Sequence, residues 1–207
     1  MPGLLPPADP AIEISVATRG YSKGLAQTDE AQIVIRPEVA FGPLRVGGYV
    51  KNVDSADQDG EAGALIGLKK AFGKTELNGS ATVKRIVAPR NGVDRTALEL
   101  AVSATQTIGK LKPRVSLTYS PDDLAGTRRS AYWEAGATYQ VLKQLGVSAN
   151  VGRRERTGGP DYTSFNAGLT YTIKGPLQAD LRWYDTNHSE FGENYKGRAV
   201  ASLRAKF

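Results

Sequence analysis

The sequence predicts an all-β protein: a single transmembrane, antiparallel, up-and-down β-barrel of about twelve strands. The barrel is expected over residues 11–207, behind a flexible leader at 1–10. Three observations carry this prediction. Apolar residues recur at every second position along most of the chain, which is the period of a strand with two unlike faces. The connections alternate between tight turns and longer polar loops, as in barrels with one short-turn rim and one loop rim. The stretch 195–207 has an apolar face and a basic face and closes on an aromatic, Phe207.

Composition agrees with a strand-built membrane protein. The 207 residues are 40% hydrophobic, and mean hydropathy is −0.35. No run approaches the roughly 20 apolar residues of a spanning helix. Alternating barrel strands average to a polar composition, so the low hydropathy fits them. Gly (23) and Tyr (9) against one Met and no Cys suit an all-β chain rich in turns. Zero Cys removes disulfide, thiol and Cys–zinc chemistry together. Net charge is +6 with a pI near 9.5, so the placement of the charge decides what partner it serves. Residues 1–7 have neither a basic n-region nor an apolar core, so the chain as written begins without a signal peptide; export makes it a mature form.

The strands follow in order. Residues 2–10 hold four prolines and no period. Ile12, Ile14 and Val16 then oppose Glu13, Ser15, Ala17 and Arg19. A polar segment runs to Asp29. Ile33, Ile35, Pro37, Val39 and Phe41 oppose Gln32, Val34, Arg36, Glu38 and Ala40. After the tight Phe41-Gly42-Pro43, Leu44, Val46, Gly48 and Val50 oppose Arg45, Gly47, Tyr49 and Lys51. An acidic loop from Asp54 to Gly60 precedes Ala62, Ala64, Ile66 and Leu68, set against Gly63, Leu65, Gly67 and Lys69. Phe72-Gly73-Lys74 turns the chain into Leu77, Gly79, Ala81 and Val83 against Glu76, Asn78, Ser80, Thr82 and Lys84.

Past a loop at Pro89–Asp94, Leu98, Leu100, Val102 and Ala104 oppose Ala97, Glu99, Ala101, Ser103 and Thr105. Leu111, Pro113, Val115, Leu117 and Tyr119 oppose Lys112, Arg114, Ser116 and Thr118. A long loop at Ser120–Arg128 follows. Ala131, Trp133, Ala135, Ala137, Tyr139 and Val141 then face away from Tyr132, Glu134, Gly136, Thr138 and Gln140. Val147, Ala149 and Val151 oppose Ser148, Asn150, Gly152 and Arg154. Beyond a Gly-Gly-Pro loop, Phe165, Ala167, Leu169, Tyr171 and Ile173 oppose Asn166, Gly168, Thr170 and Thr172. Leu177, Ala179, Leu181 and Trp183 oppose Gln178, Asp180, Arg182 and Tyr184. The last long loop, Asp185–Asn194, leads to a closing strand expected from Tyr195. Each segment is near the 9–11 residues a tilted strand needs to cross, and closure leaves no backbone group unpaired in lipid. Both termini are expected at the short-turn, periplasmic rim. Pro37 and Pro113 each remove a ladder donor, so a bulge or break is expected at both.

A soluble sandwich or closed barrel would also alternate. The many Ala and Gly on the apolar face argue for lipid over a packed core. With lipid outside, the lumen would hold Arg19, Arg36, Arg45, Lys51, Lys69, Lys84, Lys112, Arg114, Arg154, Arg182, Arg198 and Arg204, against Glu13, Glu38, Glu76, Glu99, Glu134 and Asp180. Such a wall favours anions, and arginine suits carboxylate or phosphate through bidentate bonds. The alternative is that these charges pair across the lumen and fill a scaffold barrel. Phe41, Phe72, Tyr119, Trp133, Tyr139, Tyr171, Trp183 and Phe207 are expected at the membrane interfaces, with Tyr21, Phe165 and Tyr195 on the same outer phase.

Other chemistries have thin support. The one histidine, His188, has Asp185, Ser189 and Glu190 beside it in sequence, but sequence neighbours do not make a triad. Asp54, Asp57 and Asp59 lack the spacing of an EF-hand, and Gly47-Gly48 and Gly158-Gly159 match no phosphate loop. No metal, cofactor or catalytic site is expected. The basic residues share a strand face without interleaved aromatics, unlike a nucleic-acid stacking platform; a soluble barrel binding polyanions would need that face outside.

Within this frame, Thr18-Arg19-Gly20-Tyr21-Ser22, Gln27-Thr28-Asp29 and Val46-Gly47-Gly48-Tyr49-Val50-Lys51-Asn52-Val53-Asp54 resemble the start of TorF-type porins over about the first quarter of the chain. Lys51 stands where that family commonly has Ser or Ala. The resemblance implies an outer-membrane pore of a Gram-negative bacterium. A basic twelve-stranded interior is also similar to the acidic-oligosaccharide channels of enterobacteria. The terminal strand ending on Phe207 resembles the C-terminal signature of outer-membrane barrels, which implies handling by the barrel-assembly machinery. The partners so implied are outer-membrane lipid and small anionic solutes.

Overall fold

The computed structural model describes residues 6–54, 58–89 and 96–207. Its strands are β1 (Ala8–Ala17), β2 (Tyr21–Ser22), β3 (Leu25–Ala26), β4 (Gln32–Phe41), β5 (Leu44–Asn52), β6 (Gln58–Phe72), β7 (Thr75–Pro89), β8 (Thr96–Gln106), β9 (Leu111–Asp123), β10 (Arg128–Leu142), β11 (Leu145–Arg156), β12 (Tyr162–Lys174), β13 (Leu177–Thr186) and β14 (Arg198–Lys206). Twelve of them close one antiparallel barrel, each paired with its neighbours in chain order, while β2 and β3 pair only with each other. β14 closes on β1 from Glu13↔Lys206 to Ala17↔Ser202. Ile12 and Phe207 extend this seam by exchanging backbone hydrogen bonds of 3.0 and 2.9 Å. Closure leaves no sheet edge, which is the condition for standing in lipid.

The two walls of the barrel are solvated in opposite ways. Outward-facing Ile14, Val16, Ile35, Val50, Ile66, Leu100, Val115, Leu169 and Leu181 are exposed, while Glu61, Thr82, Lys84, Ser120, Asp123, Arg154 and Ser164 are buried on the inner face. Water would penalise an apolar outer wall around a charged interior; a bilayer fits it. No helix among the described residues is long and apolar enough to cross a membrane.

Both chain ends of the barrel lie at the rim of the short turns, since Ala8 pairs with Phe41 next to the β4–β5 turn and Ala205 pairs with Leu177 next to the β12–β13 turn. At the β6–β7 turn Gly73 has φ 60°, the left-handed angle that the first residue of a II′ hairpin turn requires.

Four details differ from the sequence expectation. β1 starts at Ala8, inside the stretch expected as leader, and Ala8–Pro10 pair with Val39–Phe41. The β14 side reaches only as far as Ile12, through Phe207, so Pro10, which has no N–H to donate, needs a partner on one side alone. The closing strand starts at Arg198 and not Tyr195, because a 3-10 turn at Glu193–Tyr195 breaks the extended backbone. The segment expected as a long loop at Ser120–Arg128 is mostly strand, with β9 running on to Asp123. At Pro37 the β4–β5 pairing skips from Ile35↔Val50 to Glu38↔Gly47 without a register shift, and at Pro113 the β8–β9 pairing stops one residue short, at Thr105↔Arg114. The expected breaks are thus local gaps and not bulges. Residues 1–5 of the leader, part of the acidic loop and most of the Pro89–Asp94 loop lie outside the described residues.

Candidate functional site

The connection from β1 to β4 folds into the barrel. Its base is fixed: the Gly20 N–H donates to Thr28 Oγ1 at 2.8 Å, the Thr28 hydroxyl donates to the Glu30 carbonyl at 2.6 Å, and Arg19 holds Asp29 at 3.0 Å. Beyond the base, β2 and β3 form a hairpin whose two turn residues, Lys23 and Gly24, have φ of 50° and 81°. Two positive angles in succession are the signature of a I′ turn. A Cβ on Gly24 would fall 2.2 Å from Ser164 Cβ, so the tip lies against β12 where a side chain has no room.

The hairpin crosses the lumen. β1 and β4 are neighbours in the barrel; β9 and β10 stand opposite them, with β8 next to β9. Lys23 Nζ reaches that far wall, donating to Glu99 Oε2 at 2.6 Å and to Asp123 Oδ2 at 3.2 Å. The Tyr162 hydroxyl donates to the Lys23 carbonyl at 2.6 Å. Tyr21 stacks on Tyr184 with ring centroids 4.1 Å apart. Burial pushes the Tyr21 phenol up, against the pull of Arg198 and Arg19.

Around Lys23 the charges interlock. Asp123 accepts from Lys84 Nζ at 2.6 Å, Arg154 Nη2 at 3.0 Å and Ser130 Oγ at 3.1 Å; Lys84 also reaches Glu99 at 2.9 Å. Three cations therefore share two carboxylates, with the Lys84 and Asp123 side chains only 8% and 5% exposed. Burial pushes the Lys23 ammonium down from its usual range, with Lys84 and Arg154 adding to the push and Asp123 and Glu99 resisting it. Beside this cluster Lys51 pairs with Glu61 at 3.3 Å and donates to Gln27 at 2.8 Å, while the Tyr49 hydroxyl donates to Glu61.

Toward the short turns the pairs are simpler and wetter. Arg36 meets Glu13 at 3.1 Å, and Arg204 approaches the same carboxylate at 3.9 Å while donating to Gln178 at 2.6 Å. Arg45 pairs with Glu38, Lys69 with Glu76 at 2.8 Å, and Arg114 with Glu134 at 3.4 Å. Arg182 is held by Asp180, Asn166 and Ser148. Lys112 is exposed on the Arg114 face of β9, and Arg198 sits at the loop rim on Glu193 at 2.7 Å. All twelve cations expected inside thus lie on the inner face or at its rims. Lys23, Glu61, Asp123 and Arg156 join the inward set unforeseen.

Two cavities flank the hairpin. One, of about 350 Å³, is lined by Glu13, Arg19, Tyr21, Arg36, Asp180, Arg182, Tyr184 and Arg204. The other, of about 600 Å³, is lined by Lys23, Arg36, Lys51, Glu61, Lys84, Glu99, Asp123, Arg154 and Arg156, among others. Arg36 lines both.

The aromatics Phe41, Phe72, Tyr119, Trp133, Tyr139, Tyr171, Trp183 and Phe207 all face outward, and all but Phe41 are exposed. Tyr21 and Tyr195, expected on the same phase, lie inside. Tyr21 belongs to the hairpin, and Tyr195 is buried edge-on to Tyr162 at 5.4 Å, with its hydroxyl bonded to Arg156. His188 bonds Glu190 at 2.7 Å and stacks on Phe191. Of the three aspartates weighed for calcium, Asp57 lies outside the described residues.

Fold and interior together define a membrane-spanning, twelve-stranded barrel with a charged lumen. Residues 84–206, more than half of the chain, match the family described as "Bacterial protein of unknown function (Gcw_chp)", and the chain belongs to that family. The match lies beyond the first quarter that resembles TorF-type porins, and the family carries a different name. No curated relative matches the chain in sequence. Among solved structures, the KdgM porin in complex with disordered oligogalacturonate is similar over 95% of this chain and 99% of that chain, at a TM-score of 0.69 and 9% identity. The NanC porin is similar over 94% and 98%, at 0.62 and 9%. The COG4313 outer membrane channel from Pseudomonas putida F1 is similar over 96% and 94%, at 0.60 and 9%. At such identities the likeness is one of fold, and that fold is the one of outer-membrane porins.

Proposed function

We propose that this protein is an outer-membrane channel for passive diffusion of small hydrophilic solutes, with anions preferred, and not an enzyme. The observation that carries the reading is the 350 Å³ cavity beside the hairpin, where three arginines (Arg36, Arg182 and Arg204) face two carboxylates, Glu13 and Asp180, while Arg19 in the same lining is held by Asp29. Unequal numbers leave positive charge on a wall that solutes must pass, which favours anions. The apolar outer wall and the porin fold support the same reading. In it, the twelve inward cations with Glu38, Glu134 and Asp180 line the pore. The outward aromatics mark the two interfaces, the short-turn rim with both chain ends faces the periplasm, and the strand ending at Phe207 is what the barrel-assembly machinery handles. A nucleic-acid partner has no support, because the basic face points inward.

A second reading has its own observation. Lys23 spans the lumen to Glu99 and Asp123, which suits a filled scaffold barrel. Planar-bilayer recording of the refolded protein under a salt gradient separates the two. The channel reading expects unitary current steps and a reversal potential of anion-selective sign. A folded, heat-modifiable barrel that passes no ions would sink it in favour of the scaffold.

A further inference from the structure

Among the described residues, the hairpin Tyr21–Ala26 makes no backbone pairing with the barrel wall; β2 and β3 pair with each other. Its base is fastened by Gly20, Gln27 and Thr28, which is where a hinge would lie. The polar fastening of its tip is one residue, Lys23, through its ammonium on Glu99 and Asp123 and its carbonyl under the Tyr162 hydroxyl, while Gly24 packs on Ser164 and Tyr21, nearer the base, stacks on Tyr184. A tethered hairpin held at the far wall by one side chain is built to come away as a unit.

Resting on the channel reading above, we propose that the Tyr21–Ala26 hairpin is a displaceable gate latched by Lys23, and that Lys23 sets the largest solute the lumen admits. With the hairpin in, the lumen is split into the two cavities beside it. With it out, the two merge into one passage. The wall keeps its balance when the latch opens, since Lys84 and Arg154 remain to neutralise Glu99 and Asp123. The latched state carries a cost of its own: the Lys23 ammonium is buried next to Lys84 and Arg154, whose repulsion offsets part of its attraction to the carboxylates. That cost lowers the free energy needed to release the latch.

The test uses the absence of cysteine. Ser22→Cys places a single thiol on the hairpin, beside the larger cavity, and a maleimide–polyethylene glycol reagent reports when the hairpin leaves the lumen. Adding Lys23→Gln should raise the labelling rate at least about tenfold, the factor expected for losing a charge-assisted hydrogen bond. Lys23→Gln alone should raise unitary conductance and admit larger neutral sugars in liposome swelling. Equal labelling rates with and without Lys23, together with unchanged conductance, overturn the gate and leave the channel standing. Faster labelling with no ion current through any variant overturns the channel and leaves the latch standing.

Discussion

The two halves of the lumen use the same residue types for different ends. Toward the loops, Lys23, Lys84 and Arg154 close on Glu99 and Asp123, and Lys51 on Glu61, with most of these side chains about a tenth exposed or less. Toward the short turns, Arg36, Lys69 and Arg114 keep 49%, 36% and 47% of their side chains exposed while meeting one carboxylate each. A buried, multiply bonded pair is costly to break, because the partner is stranded without water. A half-exposed pair is screened and contributes little to stability. The loop half is therefore the part whose charges hold the hairpin and the wall together, and the short-turn half is the part whose charges remain available to a passing solute.

Asp123→Asn should break that contrast most severely. It leaves Lys23 and Lys84 with Glu99 and takes from Arg154 the carboxylate it bonds, and stranding buried charge costs on the order of 3–5 kcal/mol. Urea unfolding in detergent or lipid should show that loss for Asp123→Asn and under ~1 kcal/mol for Glu76→Gln, whose partner Lys69 is already solvated. Equal losses at the two sites would mean that the halves do not differ in kind.

Gly24→Ala has a smaller effect, confined to the hairpin. Alanine at φ 81° is strained, and its Cβ would overlap Ser164 Cβ. Together these disfavour the docked tip by about 1–3 kcal/mol. The barrel itself should keep its unfolding midpoint, while the Ser22→Cys thiol becomes faster to label. Ser164→Gly removes the obstructing atom and should restore slow labelling in part; a Gly24→Ala protein that labels like its parent would place the tip elsewhere.

What the sequence made legible follows the same division. The alternation Phe165, Ala167, Leu169, Tyr171, Ile173 assigns β12 to its faces without help, because a uniform lipid outside and water inside impose one rule on every residue of a long strand. The hairpin has no such rule. Each of its strands is two residues long, too short for a period, and Lys23-Gly24 is a weak turn signal beside Asn-Gly or Asp-Gly. Asp123 was hidden behind Pro121, which marks a loop by local preference although β9 runs through it. Glu61 was within reach, since extending the inward phase Gly63, Leu65, Gly67, Lys69 back by one step lands on it. Tyr195 failed the other way: the alternation of Ala199, Ala201 and Leu203 was carried back across a 3-10 turn that resets the facing. Which cation meets which carboxylate depends on register and on a loop folding inward, and neither is written in the period.

Arg114→Ala should have the smallest effect on stability and sharpens the contrast from the other side. Arg114 is 47% exposed and 3.4 Å from Glu134, so its removal should cost under ~1 kcal/mol, as for other solvated pairs. Glu134 is not stranded, since the Tyr132 hydroxyl donates to its other oxygen at 3.1 Å. Yet the substitution takes one positive charge from the open half of the lumen, and a conducting wall responds to its net charge and not to its stability. The reversal potential under a salt gradient should move toward cations with no change in the unfolding midpoint or in the Ser22→Cys labelling rate. Lys84→Ala should do the reverse, with a large loss of stability, because that charge is spent on holding Glu99 and Asp123. If Arg114→Ala left selectivity untouched, the charges of the short-turn half would be as fully committed to their partners as those around Lys23, and ions would be selected elsewhere in the lumen.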